Sequence, residues 1–182
     1  TRVATYEQLS LRGWMKTSRG TPSARANARG TTRQATSTEP HDQRAADEAA
    51  VAADRAAGYR PLAVVATVGT TSSTAVDPVD SIADVCAREK MWLHVDSAYA
   101  GVLALVPEHR VHFRGVERAD SFVVNPHKWL FTPFDLSVLY CRRMDTVRTA
   151  FSLTPEYLKT SEAGEVRNLM DTGIQLGRRF RA

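Results

Sequence analysis

The sequence is short of the features that would fix its class at a glance. Cysteine occurs only at Cys86 and Cys141 among 182 residues. Two thiols without Cys-x-x-Cys spacing exclude a disulfide scaffold and a cysteine zinc site, and a reducing, cytoplasmic compartment is the expectation. Long hydrophobic runs are missing too. The longest, Leu62 to Val68, falls far below the roughly 20 apolar residues that a membrane span requires. No charged-then-apolar leader opens the chain, so neither secretion nor targeting is expected. Lysine is scarce, 4 against 20 arginines, a usage typical of a GC-rich bacterial source. What is present is ordinary: 43% hydrophobic residues argue against wholesale disorder, and the length suits one domain with a real core.

The net charge of +4 is unevenly placed. Residues 1–38 hold seven basic side chains and the single acid Glu7, a net of +6, so the remainder is at −2. From Thr17 to Thr38 the chain is rich in Thr, Ser, Arg, Ala and Gly and almost free of large apolar residues. That composition reads as a basic, low-complexity or poorly ordered leader. A nucleic-acid-gripping arm is the functional alternative. It lacks the interleaved aromatics and the motif that such a module would carry.

Beyond residue 38 the pattern is that of an α/β domain. Alanine-rich Asp42 to Ala57 followed by Gly58 predicts a helix with a glycine stop. Pro61 then introduces Leu62 to Val68, a continuous apolar run suited to a strand buried on both faces. Val79, Ile82, Ala83, Val85 and Cys86 recur at helical spacing. Met91–Asp96, Ser121–Val124 and Leu136–Cys141 read as three further strands. Alternating strands and helices imply a mostly parallel sheet with flanking helices. Ligands of such sheets bind beyond the strands' carboxyl ends, which directs attention to Gly69–Thr74, Asp96–Ala98, Asn125–Lys128 and the loop around Tyr157.

Two of these ends carry reactive groups. Lys128 lies beside Trp129, Leu130 and Phe131. Desolvation by such neighbours lowers a lysine pKa and makes the amine a nucleophile fit for a Schiff base; a lysine snorkelling from a loop is the plain alternative. Asp96 closes the preceding strand, and an acid there needs a cation or hydrogen-bond donors. Opposite a Schiff-base lysine it could hold the protonated ring nitrogen of pyridoxal phosphate. His94, two residues earlier, makes a metal-binding His-x-Asp pair the rival, but no third ligand is evident.

Three motifs in order, Ala66–Pro78, His94–Gly101 and Asn125-Pro126-His127-Lys128-Trp129, resemble those of the group II pyridoxal-phosphate decarboxylases. More narrowly they resemble the aromatic-L-amino-acid (tyrosine, DOPA and tryptophan) decarboxylases, from about Ala45 to Arg181. The resemblance implies the fold type I, aspartate-aminotransferase-like large domain, and a homodimer with active sites at the subunit interface. It implies that Lys128 binds pyridoxal 5'-phosphate covalently, Asp96 holds the pyridine nitrogen, and Ala98 packs against the ring. Asn125 and His127 match residues near the cofactor. Thr71, with Thr70 its close competitor, matches a threonine near that acid and the substrate carboxylate. Tyr157 matches the mobile-loop tyrosine that returns a proton to carbon after carbon dioxide leaves, where aldehyde-forming relatives carry phenylalanine.

The same resemblance makes residues 39–182 the C-terminal part of a large domain, cut before the small C-terminal domain at Leu176–Arg181. Upstream, Val3–Ser10 resembles a strand leading to a Gln-x-His motif, with Ser10 in the place of the histidine. The 182 residues alone are therefore expected to bind cofactor weakly and to decarboxylate nothing. Alternative readings are a decarboxylase of glutamate or histidine, an aldehyde-forming relative, an inactive fragment, and a basic nucleic-acid-binding module using residues 1–38.

Overall fold

The computed structural model describes residues 3–9, 12–18, 40–71, 73–134, 136–151 and 172, with side chains from residue 44 onward. The chain divides into two compact units, residues 1–140 and 141–182. In the first, six strands form one sheet in the order β2-β1-β3-β4-β5-β6. These are β1 (Val3–Leu9), β2 (Arg12–Ser18), β3 (Arg60–Thr67), β4 (Trp92–Asp96), β5 (Ser121–Val124) and β6 (Val138–Cys141). β1, β3, β4 and β5 run parallel to one another, and β2 joins β1 as an antiparallel edge. The parallel α/β sheet expected from the sequence is present. The second unit contains helix α4 (Met144–Phe151).

The elements form where local chemistry directs them. Helix α1 (Pro40–Ala56) opens on a proline, which suits a first turn whose amides lack intrahelical acceptors. It ends before Gly58, whose positive φ of 80° and amide bond to the Arg55 carbonyl at 2.9 Å close the last turn. Helix α2 (Val79–Glu89) buries Val79, Ile82, Ala83, Val85 and Cys86, the set marked out by spacing. It stops at Lys90 in the left-handed conformation. A short helix, α3 (Pro126–Trp129), follows β5, and three 3-10 turns fill the crossover from β4 to β5.

The core lies where α1 and α2 meet one face of β3 and β4. Val51 of α1, Ile82 and Val85 of α2, Val64 and Ala66 of β3, and Leu93 and Val95 of β4 form one buried cluster. Burial of these side chains is the main stabilising term, at about 1.5–3 kcal/mol for each valine, leucine and isoleucine. In β3, however, burial alternates: Leu62 is exposed and Ala63 and Val65 are only half-buried. The expectation of a strand covered on both faces is therefore corrected. Among the described residues, the helices cover one face.

Outside the core, α1 and α2 are laced by ion pairs. Arg44 reaches Asp84 at 3.2 Å and Arg88 reaches Glu48 at 3.1 Å, while Arg118 bridges Asp80 and Asp84 at 2.9 and 2.7 Å. These arginines hold the Glu48 and Asp84 carboxyls below the ordinary range. The pairs are exposed and screened by solvent, so they add little stability. They fix register more than they add stability.

The basic leader also differs from its reading. Residues 3–9 and 12–18 are strands β1 and β2 rather than irregular chain, because Val3, Thr5, Tyr6, Trp14 and Thr17 are strand formers and β3 supplies a parallel edge to pair with. The rest of the leader, residues 19–39, lies outside the described residues.

Candidate active site at the carboxyl edge of the sheet

The parallel pairing brings three segments to one edge. Register aligns Thr67 of β3 with Asp96 of β4, and Asp96 with Val123 of β5. Backbone bonds continue past the strand ends. The Val68 amide donates to the Asp96 carbonyl at 3.0 Å, the Ser97 amide to Val123 at 3.1 Å, and the Asn125 amide to Ala98 at 3.1 Å. Thr70 and Thr71, Asp96 and Ala98, and Asn125, His127 and Lys128 thus belong to three loops stitched side by side. Tyr157, the fourth expected contributor, lies outside the described residues.

Asp96 is half-buried and accepts the Ala98 amide on Oδ1 at 3.0 Å. That bond turns the chain sharply and presents Ala98 beside the carboxylate. Ser97 between them is wholly buried, and its hydroxyl donates to the Val68 carbonyl at 2.8 Å. Behind Asp96 on the same face of β4, the ring Nδ1 of His94 lies 2.8 Å from the Ser121 hydroxyl, which also accepts from Trp92 Nε1 at 2.9 Å. Burial lowers the His94 pKa, and the nearby Asp96 charge opposes that shift. His94 therefore serves a hydrogen-bonded strand network; no group of three metal-ligating side chains occurs among the described residues.

The β5 end is built differently. Asn125 Oδ1 accepts the Ser137 hydroxyl at 2.6 Å, and His127 Nδ1 accepts the Leu136 amide at 2.9 Å. Phe134 leans on the His127 ring with centroids 4.7 Å apart, and Trp129 meets Tyr99 edge-on at 5.1 Å. Lys128 itself is exposed, as are Trp129, Leu130 and Phe131. The desolvated lysine expected from these neighbours is not what they provide: the apolar side chains face solvent too and do not enclose the amine.

The β3 loop is the most tightly defined. Gly69, at a positive φ of 80°, packs so closely that a Cβ would stand 2.1 Å from the Ala100 Cβ. Thr70 Oγ1 accepts the Ala75 amide at 3.2 Å and shares a 2.7 Å bond with the Ser73 hydroxyl, while Thr71 is exposed. The hydroxyl of Thr70 is thus engaged within the loop. At its base sits a residue that sequence reasoning passed over. Asp77 is buried and its Oδ2 accepts the Thr67 amide at 2.7 Å. The available signal was an acid placed between apolar Val76 and Pro78-Val79.

Burial pushes the Asp77 carboxyl from 3.8 up to about 6, against the smaller opposing pull of the Thr67 amide. A raised native pKa means that the folded protein binds the proton more readily than the unfolded chain. The stabilisation is complete below about pH 4 and is lost as pH rises through about 6. Asp77→Asn should remove this dependence. Its stability relative to the parent should improve by up to about 3 kcal/mol between pH 4 and pH 7, measured by urea denaturation at several pH values. A constant difference across that range would count against a neutral Asp77.

Residues 28–182 match the family described as the pyridoxal-dependent decarboxylase conserved domain. Tryptophan decarboxylase 1 of Oryza sativa subsp. japonica is 52% identical over 134 residues, covering 72% of this chain and 26% of that protein. Aromatic-L-amino-acid decarboxylase of Manduca sexta is 47% identical over 125 residues, 69% of this chain and 25% of its own. The crystal structure of Oryza sativa TDC with PLP and tryptamine superposes with a TM-score of 0.69 at 49% identity, over 75% of this chain and 28% of that one. The chain spans about a quarter of the length of the curated relatives it matches. The fold is thus part of a fold type I pyridoxal-phosphate domain, and the chain belongs to the pyridoxal-dependent decarboxylase family.

Proposed function

We propose that the protein carrying this chain decarboxylates an aromatic L-amino acid to its amine and carbon dioxide, using pyridoxal 5'-phosphate. The observation that carries the reading is the meeting of an amine (Lys128), a half-buried carboxylate (Asp96) and a hydroxyl loop (Thr70, Thr71) at the ends of three adjacent parallel strands. The donor set fits the cofactor. Asp96 leaves Oδ2 for a cationic ring nitrogen, and Ala98, held by Oδ1, is small enough to lie against a flat ring.

When bound, the cofactor supplies an electron sink for the pair left by the departing carboxylate. The chain's own residues do the rest. Lys128 is the attachment point and receives the role of nucleophile. Asp96 keeps the ring nitrogen protonated, while Asn125 and His127, anchored by Ser137 and Leu136, orient the neighbouring groups. Thr71 offers the exposed hydroxyl of its loop to a substrate carboxylate. To Tyr157 the resemblance assigns the donation of the proton that replaces the carboxylate on the substrate α-carbon.

The relatives named for tryptophan and aromatic amino acids support the aromatic substrate class. A homodimer is part of the proposal, as the resemblance to the aromatic-L-amino-acid decarboxylases implies. A cytoplasmic, reducing location is also proposed, on the two cysteines without paired spacing.

The test is carbon dioxide release by the full-length protein with pyridoxal phosphate, offered L-tryptophan, L-tyrosine, L-DOPA, L-glutamate and L-histidine. Amine formation from the aromatic three is expected. Preference for glutamate or histidine would replace the substrate class, and an aldehyde product would replace the reaction.

A further inference from the structure

The loop between β3 and α2 is closed by a carboxylate to which the reaction assigns nothing. Pairing of β1 with β3 ends at Glu7↔Val65. Because Val68 turns its amide toward Asp96, the amide and carbonyl of Thr67 face the opposite side, past the point where β1 stops pairing with β3. Asp77 takes up both. Its backbone amide donates to the Thr67 carbonyl at 2.9 Å, and its Oδ2 accepts the Thr67 amide at 2.7 Å.

This double clasp starts a short antiparallel ladder. Val68 bridges Val76, and the Gly69 and Thr70 amides donate to the Ala75 carbonyl at 3.0 and 3.2 Å. Within it, the Thr74 amide donates to the Thr70 carbonyl at 2.9 Å and Thr70 Oγ1 receives Ala75. The loop bearing Thr70 and Thr71 is thus folded back on its own strand. Its base is tied to the residue that Asp96 pairs with.

We propose that Asp77 is a positioning residue: by clasping Thr67 at the end of β3 it fixes where Thr70 and Thr71 stand relative to Asp96. The essential property is an oxygen acceptor at the Oδ2 position. Negative charge is secondary, and the burial that raises this carboxyl's pKa is in keeping with that. The proposal rests on the functional reading above, because Thr70 and Thr71 matter only if the sheet edge is the active site.

The experiment compares Asp77→Ala, which removes the acceptor, with Asp77→Asn, which keeps one, in the full-length protein. Pyridoxal phosphate is titrated into each apoprotein to obtain its dissociation constant, and kinetics with L-tryptophan and L-tyrosine follow. Asp77→Ala is expected to weaken cofactor binding about tenfold and to raise KM about tenfold with a smaller change in kcat. Asp77→Asn is expected to restore both to within about threefold of the parent.

Equal losses in the two variants, or no loss in either, would overturn the proposal. Should Asp77→Ala show no cooperative melt, Asp77→Glu decides. Its acceptor sits on a longer arm, so the same loosening is expected in a folded protein, and parental constants would refute the idea. Lys128→Ala and the parent are run alongside. A parent that neither binds the cofactor nor releases carbon dioxide defeats the functional reading itself. An active parent with indifferent Asp77 variants defeats only this inference.

Discussion

Replacement of Lys128 by alanine is expected to abolish decarboxylation, lowering kcat/KM by at least about ten-thousand-fold. The size follows from the number of tasks placed on one amine. Lys128 carries the primary amine at the β5 end, and neither the amide of Asn125 nor the imidazole of His127 can form a Schiff base with an aldehyde. Loss of the amine removes both the attachment and the nucleophile that is regenerated in each turnover. The decisive measurement is chemical: borohydride treatment of the loaded protein, then peptide mass analysis. The cofactor mass should appear on the peptide containing Lys128 in the parent and vanish in the variant. Covalent cofactor on another lysine would move the active centre elsewhere. Stability should be almost unchanged, because Lys128 is exposed and contributes no core contact.

The second large effect is structural. Gly69→Ala is expected to cost about 3–5 kcal/mol. Two causes add. The backbone at φ of 80° is strained for any residue with a side chain, and the new methyl would overlap the Ala100 Cβ. Relief of that overlap requires the loops after β3 and β4 to separate, which opens the Val68–Asp96 and Ser97–Val68 bonds. A second substitution distinguishes the causes. Ala100→Gly takes away the atom at 2.1 Å and leaves Cα at 3.5 Å, an ordinary contact. The double variant should therefore recover most of the loss and retain only about 1 kcal/mol of backbone strain. Denaturation midpoints of the four proteins give the coupling directly. Simple additivity would show that the close approach is not what makes glycine necessary.

Much of the fold was legible where pattern and composition agreed. The five apolar positions of α2 from Val79 to Cys86 are its buried residues, and Ser121–Val124 is a strand with the bounds its apolar run indicated. Parallel order followed from alternation of strand and helix, and with it the edge at which Asp96, Asn125 and Lys128 emerge. Other features were hidden for physical reasons. β1 was visible only through the resemblance of Val3–Ser10 to a strand, and β2 lies in a segment whose charge hid it, since a strand pairing with a distant partner leaves no local period. The exposure of Lys128 could not be read from its apolar neighbours, because neighbours in sequence need not be neighbours in space. Asp77 was passed over since its role depends on where β1 stops, a matter of register. Ser97 was equally silent: a serine between an aspartate and an alanine gives no sign that its hydroxyl will be sealed inside.

The clasp at Asp77 and the close approach at Gly69 also bear on how such a protein can change. Much of the core, including Val51, Ile82, Val85 and Leu93, comes from the helices and strand interiors rather than from the reacting edge, so mutations there should tune heat tolerance while leaving substrate choice alone. Along the edge, Thr71 and Lys128 are exposed and free to vary chemistry at little cost to folding. At Gly69 and Asp77 the two demands fall on the same atoms. Selection for a hardier protein and selection for a new substrate would meet there, and a gain in one would be drawn from the other.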